Sequence, residues 1–247
     1  MSSASGFSPL AWDSDFFGQR IARVIADDFG RDSADRIIRG ARDASIDCLY
    51  LLVDAEDSER VVAAEGAGFQ HVDIRITRER GVSADSDANE LPEDIDLCSA
   101  DDIPGLSAIA RKSHRDSRFY HDPAFSRERC DDLYETWIQN ACQGMADAVV
   151  VARREGRAIG YVTCEIPEPG LGNLGLVAVA ADEGGRGYGG RMIEGALGWL
   201  ARRDCSRVRV VTQARNARAN GLYESRDFET VFVENSYHLW LGAGEDR

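Results

Sequence analysis

The sequence predicts an α/β protein built on a mixed sheet, and three stretches carry that reading. Residues 174–199, LGLVAVAADEGGRGYGGRMIEGALGW, pass from a continuous apolar strand through a glycine-rich turn into a helix. Met192, Ile193, Ala196, Leu197 and Leu200 repeat there at helical spacing. Glu155-Gly156 separates two β-rich runs, 148–154 and 157–166, as a tight hairpin turn does. The order strand, helix, Phe-led strand then occurs twice, over 48–76 and over 208–233. Strands alternating with helices in this way are the mark of a sheet covered by helices.

From the start of the chain, PLAWDSDFFGQRIARVIA at 9–26 reads as an aromatic-rich turn followed by a strand. A helix is expected from Ser33 to Ala44, capped by Asp32 or Ser33. A strand at Cys48 to Val53 follows, then a helix from Asp57 or Ser58 to Ala67, and Gly68-Phe69 leads into the alternating strand 71–76. Residues 81–94, GVSADSDANELPED, are small, acidic and polar, the composition of a linker. The expected division is a half domain at 1–85, a linker at 86–94 and a larger domain at 95–247.

In the larger domain Ile95 to Ala100 reads as a strand, and Asp101 or Asp102 as the cap of a helix with Ile103, Leu106, Ile109 and Ala110 inward. Residues 111–125 have neither period. A helix is expected over 126–143 with Leu133, Tyr134, Trp137, Ile138 and Ala141 on its buried side. In the second hairpin strand Ala158, Gly160, Val162 and Cys164 form a small apolar face, and Ile159, Tyr161, Thr163 and Glu165 a face polar enough to line a cleft. A strand at Val208 to Thr212, a helix from Asn216 and a final pair of strands through Trp240 complete the order.

Of the 247 residues, 43% are hydrophobic and 29% charged, which suits a soluble globular protein. The formal charge of −14 argues against a general nucleic-acid binder while leaving room for an anionic small molecule in a locally basic cleft. Six cysteines at 48, 98, 130, 142, 164 and 205, with no C-x-x-C pair, read as reduced thiols filling core space and not as a disulfide frame or metal site. No run reaches the ~18 apolar residues of a membrane span, and the expected setting is cytoplasmic, away from membranes.

The strand, glycine turn and helix at 174–199 make a phosphate site by construction: glycines allow close backbone approach, and the first-turn N–H groups have no helical partner and lie at the positive end of the helix dipole. No Gly-Lys-Ser/Thr follows, so the spacing is not that of a nucleotide P-loop. The stretch resembles the acetyl-CoA signature of the GNAT superfamily of N-acetyltransferases, a strand followed by Q/R-x-x-G-x-G/A. Val179 falls on the strand-end valine and Gly187-Tyr188-Gly189 on G-x-G, whereas Gly184 stands where the family usually has Gln or Arg. Downstream, Asn216, Ala219, Leu222 and Tyr223 match the family's N-x-x-A-x-x-L-Y, with Asp227 in place of the usual glycine before Phe228.

This resemblance, covering Asp94 to Gly242, implies the GNAT fold, preceded here by a truncated GNAT-like half domain, and direct transfer of acetyl from acetyl-CoA to an amine through a tetrahedral intermediate, with no metal. It implies that backbone groups of Val177, Ala178 and Val179 face the thioester and that Gly184, Gly185, Arg186, Gly187, Tyr188, Gly189 and Gly190 hold the diphosphate, with Asn216 helping to fix the pantetheine arm. Tyr223 matches the general acid that protonates the departing thiolate; the alternative is a buried tyrosine whose hydroxyl bonds a backbone group. The base is left open among Glu165, His114, Asp116 and Asp122.

Arg111, Lys112, Arg115, Arg118, Arg127 and Arg129 crowd one stretch of an otherwise acidic chain. They read either as a solvated basic face or as a site for an anionic acceptor, with Phe119, Tyr120 and Phe125 to stack on a flat ring. SRFYHDPAF and LYETWIQNA, with WDSDFFG, AVAADEGGRGYGG and TQARN, are similar to segments of the dTDP-fucosamine acetyltransferases, which act on the 4-amino group of a dTDP-4-amino-4,6-dideoxygalactose. The resemblance implies a dTDP-amino sugar as acceptor, with Arg118, Tyr120 and Glu165 as its contacts. Other readings are an acetyltransferase for another small amine or a protein N-terminus, and a CoA-binding module without turnover. A homodimer is a further expectation.

Overall fold

The chain was analysed as a computed structural model, in which residues 6–26, 28–83 and 91–242 are described. It divides into two compact units that interleave along the sequence. The first comprises Met1–Arg75, Ser117–Phe125 and Phe232–Arg247, and the second Ile76–Asp116 and Ser126–Val231. Of the expected linker, residues 86–90 lie outside the described residues.

In the first unit β1 (Phe7–Pro9) runs antiparallel to β2 (Ile21–Val24), which lies parallel to β3 (Cys48–Asp54). β3 in turn pairs antiparallel with the last strand of the chain, from Asp54 opposite Glu234 to Cys48 opposite Trp240. Helices α1 (Ala11–Phe17), α2 (Arg31–Asp43) and α3 (Ser58–Gly66) connect these strands. The aromatic segment expected as a turn is thus α1. Its seven residues are too few to display a period, and it is fixed from outside: Ser14 Oγ donates to Leu10 O and accepts from the Ile21 N–H, and Gly18 closes the helix at φ 66°. The start of α2 is also earlier than expected. Ser33 sits inside the first turn, where its hydroxyl accepts from the Gly30 N–H at 2.8 Å. α3 starts at Ser58, within the expected range, and Asp57 caps it by accepting from the Arg60 N–H.

The second unit holds the end of β4 (Gln70–Gly81), then β5 (Ile95–Leu97), α4 (Ile103–Ala110), α5 (Arg127–Asn140), β6 (Ala148–Arg154), β7 (Arg157–Glu168) and β8 (Leu171–Val179). Next come α6 (Tyr188–Ala201), β9 (Arg207–Gln213), α7 (Ala217–Glu224) and the start of β10 (Glu229–Trp240). Strands β5 to β9 lie side by side in sequence order, antiparallel except for the parallel β8–β9 pair, so the sheet is mixed. Glu155 and Gly156 turn the β6–β7 hairpin at φ 52° and 78°, the left-handed pair of a type I′ turn. Met192, Ile193, Ala196, Leu197 and Leu200 of α6 are all buried against this sheet, as their spacing predicts.

Four expectations need correction here. β5 ends at Leu97, because the chain turns at Ser99, whose N–H and hydroxyl both donate to Asp102. Asp102 thus closes a capping box with Ser99 and also accepts two hydrogen bonds from Arg153, and its carboxylate makes no cap bond to α4 itself. The expected final strand pair is one strand, β10. On β7, Ile159, Tyr161 and Thr163 are as buried as the opposite face, because α4 covers them, and the cleft-lining character begins only at half-buried Glu165.

The two strand–helix–strand stretches agree residue by residue. Asp57 N–H bonds Asp54 O, and Asn216 N–H bonds Gln213 O. The Asp57 and Asn216 side chains cap their helices by accepting from the N–H three residues on. Gly68 and Asp227 both take positive φ, and the Phe69 and Phe228 N–H groups that follow bond Ala64 O and Tyr223 O. The position of Tyr223 is held by Ala64 in the first stretch, so that copy has no phenol.

Cys48, Cys130, Cys164 and Cys205 are buried as expected of core thiols, whereas Cys98 and Cys142 are partly exposed with their sulfurs 3.4 Å apart. Among the described residues no helix is long and apolar enough to cross a membrane, and no group of His, Cys, Asp or Glu is placed to hold a metal ion.

Candidate active site

β8 and β9 pair from Leu171 opposite Arg207 to Leu174 opposite Val210, and no further register partner joins them. Both strands continue, to Val179 and to Gln213. The cause lies on the other side of β8, where the register with β7 shifts after Leu174. Gly175 and Leu176 there oppose Thr163 alone, and the Leu176 N–H donates to Thr163 Oγ1 at 2.8 Å. A Cβ on Gly175 would lie 2.6 Å from that same oxygen. Such a bulge bends and twists its strand, here away from β9. Val177, Ala178 and Val179 still pair with Val162, Tyr161 and Gly160, leaving the β9-facing edge of the strand end without a ladder partner.

Past Val179 the chain makes a short turn whose Glu183, only 5% exposed, accepts two hydrogen bonds from Arg154 and pairs with Arg186 at 3.4 Å. Gly185 and Gly187 follow with φ of 79° and 80°. A Cβ at Gly185 would meet nothing within 4 Å, and one at Gly187 would meet only Arg191 Nη1 at 3.6 Å. These two glycines supply a left-handed backbone beside open space. Within α6 the Arg191 N–H is bonded to Gly187 O, so the N–H groups of Tyr188, Gly189 and Gly190 precede the helical ladder. Gly189 and Gly190 serve packing instead, because Leu222 and Arg226 lie against them, and Arg218, one turn earlier on α7, lies against Gly184.

α7 is tied down by residues that sequence reasoning missed. Asn220 donates to Gln213 O and Asn216 O and accepts from Arg78, which is 6% exposed and also reaches Glu224 and Phe228 O. Asn216 itself caps the helix through the Ala219 N–H, at 2.9 Å. The Tyr223 side chain is 4% exposed, its ring edge-on to Phe228, and its hydroxyl has no hydrogen-bond partner among the described residues. Burial pushes the phenol's pKa up, which holds it neutral.

Of the four base candidates, three lie in this unit. Glu165 stands half-buried opposite Asn173, and burial with nearby Asp147 raises its pKa. His114, at φ 59°, stacks on Tyr134 with Nε2 2.9 Å from the hydroxyl of Tyr161, and burial lowers its pKa to about 4. Tyr161 is the register partner of Ala178, so His114 is linked through one hydroxyl to the splayed strand. Asp116 is half-buried. Asp122 belongs to the first unit, where it accepts from His238 Nδ1 at 2.6 Å, Trp240 Nε1 at 2.9 Å and the Ala124 N–H.

Three of the six basic residues in the stretch are paired with carboxylates. Arg111 pairs with Asp132 and Glu135, Arg115 with Asp131 and Arg129 with Asp132, all from α5. Phe119 and Phe125 are 3% and 6% exposed and pack on Phe17, so neither offers a face to a flat ring. Arg118 and Tyr120 remain partly accessible in the first unit, the Arg118 guanidinium 4.5 Å from the Tyr50 ring centroid. The expected contacts are thus divided, with Arg118 and Tyr120 in one unit and Glu165 in the other.

Residues 111–228 match the model of the acetyltransferase (GNAT) family. The chain carries a GNAT N-acetyltransferase domain. Acetyl-CoA is the cosubstrate of this family, and the splayed strand, open left-handed glycines and unladdered N–H groups fit such a molecule. The chain is 26% identical over 218 residues to a dTDP-fucosamine acetyltransferase of Escherichia coli O6:H1, covering 87% of this chain and 89% of that one. It is 28% identical to the spore coat polysaccharide biosynthesis protein SpsD of Bacillus subtilis over 57% of its own length, and spans about half (48%) of SpsD. The crystal structure of a GCN5-related N-acetyltransferase from Sphaerobacter thermophilus shares the fold at 16% identity, with a TM-score of 0.66 over 98% of this chain and 78% of that one.

Proposed function

We propose that this acetyltransferase acts on the amino group of a nucleotide-linked amino sugar, and that Tyr223 is its general acid. The observation that carries the acceptor is the likeness to the dTDP-fucosamine acetyltransferase, which extends over 87% of the chain and so includes residues of both units. In the first unit Arg118, held on Tyr50 and Phe119, is the cation for the nucleotide's phosphates, with Tyr120 beside it in sequence. The agreement between the Asp54–Phe69 and Gln213–Phe228 stretches supports reading the N-terminal part as a GNAT-like half domain. A cytoplasmic setting and a homodimer belong to the same reading; sedimentation of the purified chain tests the second.

The thioester supplies an activated acetyl group. The unpaired edge at Val177 to Val179 offers backbone donors for the oxygen on which charge develops, and donors fixed in advance count most in the transition state. The turn from Gly184 to Gly190 holds the diphosphate through backbone N–H groups, and Asn216 fixes the helix that carries Tyr223. A neutral phenol with its hydroxyl uncommitted can donate a proton to the leaving thiolate. Glu165, its pKa raised, can accept the proton of the attacking amine directly or through water.

Mass spectrometry of the chain incubated with acetyl-CoA and a panel of amines tests the acceptor. Acetylation of dTDP-4-amino-sugars in preference to polyamines, aminoglycosides and peptide N-termini is expected. Acetylation confined to any of the latter classes would refute the assignment.

A further inference from the structure

Position 184 departs from the family pattern, with glycine where Gln or Arg is usual, and the backbone does not demand it. Gly184 is extended, at φ −63° and ψ 149°, a conformation open to every residue. What a side chain there would meet is the guanidinium end of Arg218, a flexible group able to move aside. A Cβ on Gly184 would lie 2.5 Å from Arg218 Nη2 and 3.3 Å from Nη1. The guanidinium of the second residue of α7 therefore fills the space into which a side chain at 184 would grow.

The other arginines flanking the turn are committed. Arg186 pairs with Glu183, and Arg191 with Asp94 through two hydrogen bonds. Arg226, just past the end of α7, pairs with Glu194. Arg218 is exposed, and among the described residues its guanidinium has no hydrogen bond or ion pair. A cation left without a carboxylate beside a turn of unladdered N–H groups, in a chain of net charge −14, is placed for an anionic ligand.

We infer that Arg218 delivers from α7 the diphosphate-binding side chain that this glycine turn lacks at position 184, the two positions having exchanged the cation. The inference rests on the turn being the site of the cosubstrate's diphosphate. Arg218 is then a binding residue for acetyl-CoA that also couples the turn to the helix carrying Tyr223.

Calorimetric titration with CoA, with the melting temperature of each variant as a fold control, tests this. Arg218→Ala should weaken CoA binding roughly tenfold or more and flatten its salt dependence, and Arg218→Lys should keep part of the affinity. Gly184→Arg in the parent should gain little, since Arg218 already supplies the cation at that place. Gly184→Arg combined with Arg218→Ala should return the affinity to within a few-fold of the parent. Parent-like binding by Arg218→Ala at low salt would overturn the inference, as would a folded double variant no better than Arg218→Ala alone. Gly185→Val separates the two levels: loss of CoA binding there with an unaffected Arg218→Ala leaves the turn in place and removes Arg218, whereas parent-like binding by both removes the turn itself.

Discussion

Replacing Tyr223 with Phe keeps the ring that meets Phe228 edge-on and removes a hydroxyl with no hydrogen-bond partner among the described residues. The melting temperature and CoA affinity should therefore stay near the parent values, while kcat falls ~10²-fold or more for want of a proton donor. A kcat within a few-fold of the parent, with chemistry rate-limiting, would remove the acid role. Burial raises the phenol's pKa in the folded state above its unfolded value of about 10. Its contribution to stability is thus complete below pH ~10 and declines as pH rises through the folded pKa, so Tyr223→Phe should lessen the loss of stability in alkaline melts, part of which remains with Tyr50, Tyr161 and Tyr237, whose pKa values are also raised. Thiols sort by exposure in the same way. In a brief reaction of the native chain with a thiol reagent, intact mass should show labelling at Cys98 and Cys142 before the four buried cysteines. Equal labelling of Cys130 would contradict its burial.

The glycine turn combines two kinds of glycine, and substitution should tell them apart. Val at position 189 would bring its Cβ to 3.2 Å from Leu222 Cδ2, so Gly189→Val should lower both the melting temperature and CoA affinity. Gly185→Val projects into open space at a left-handed φ. It should cost about 1–2 kcal/mol of backbone strain while abolishing CoA binding. Calorimetry and thermal melts on the pair decide whether position 185 borders ligand: intact binding by a folded Gly185→Val would place the ligand elsewhere.

Across the whole chain, the unit that carries Tyr223 and Glu165 begins at Ile76, ahead of the segment whose composition reads as a linker. Arg78 of β4 satisfies Asn220, Glu224 and the Phe228 carbonyl from that earlier stretch. A chain starting at Leu91 would leave those groups unpaired, at roughly 1–3 kcal/mol for each buried one. Such a fragment should lack a cooperative melt and CoA binding; a folded, CoA-binding fragment would show that β4 is dispensable. Arg78→Met in the full chain should show a milder form of the same loss.

Local signals were enough for the elements whose partners are near in sequence. The α6 stripe from Met192 to Leu200, the Glu155-Gly156 turn, the Asp57 cap and the pair Asn216 and Tyr223 are legible because periodicity, left-handed turn residues and capping side chains act within a few positions. Charge and contact between distant segments are not encoded that way. Arg111 and Arg115 read as an open basic surface until α5 brings Asp131, Asp132 and Glu135 against them. Phe119 and Phe125 read as stacking platforms until Phe17 covers them. The sequence by itself determined the mixed α/β fold, the glycine turn and the candidate acid. Tertiary structure alone decided that Ser117–Phe125 joins the first unit, that β8 parts from β9 at a bulge, and that the Arg218 guanidinium lies where a side chain at 184 would grow, since each depends on which far-separated groups share one volume.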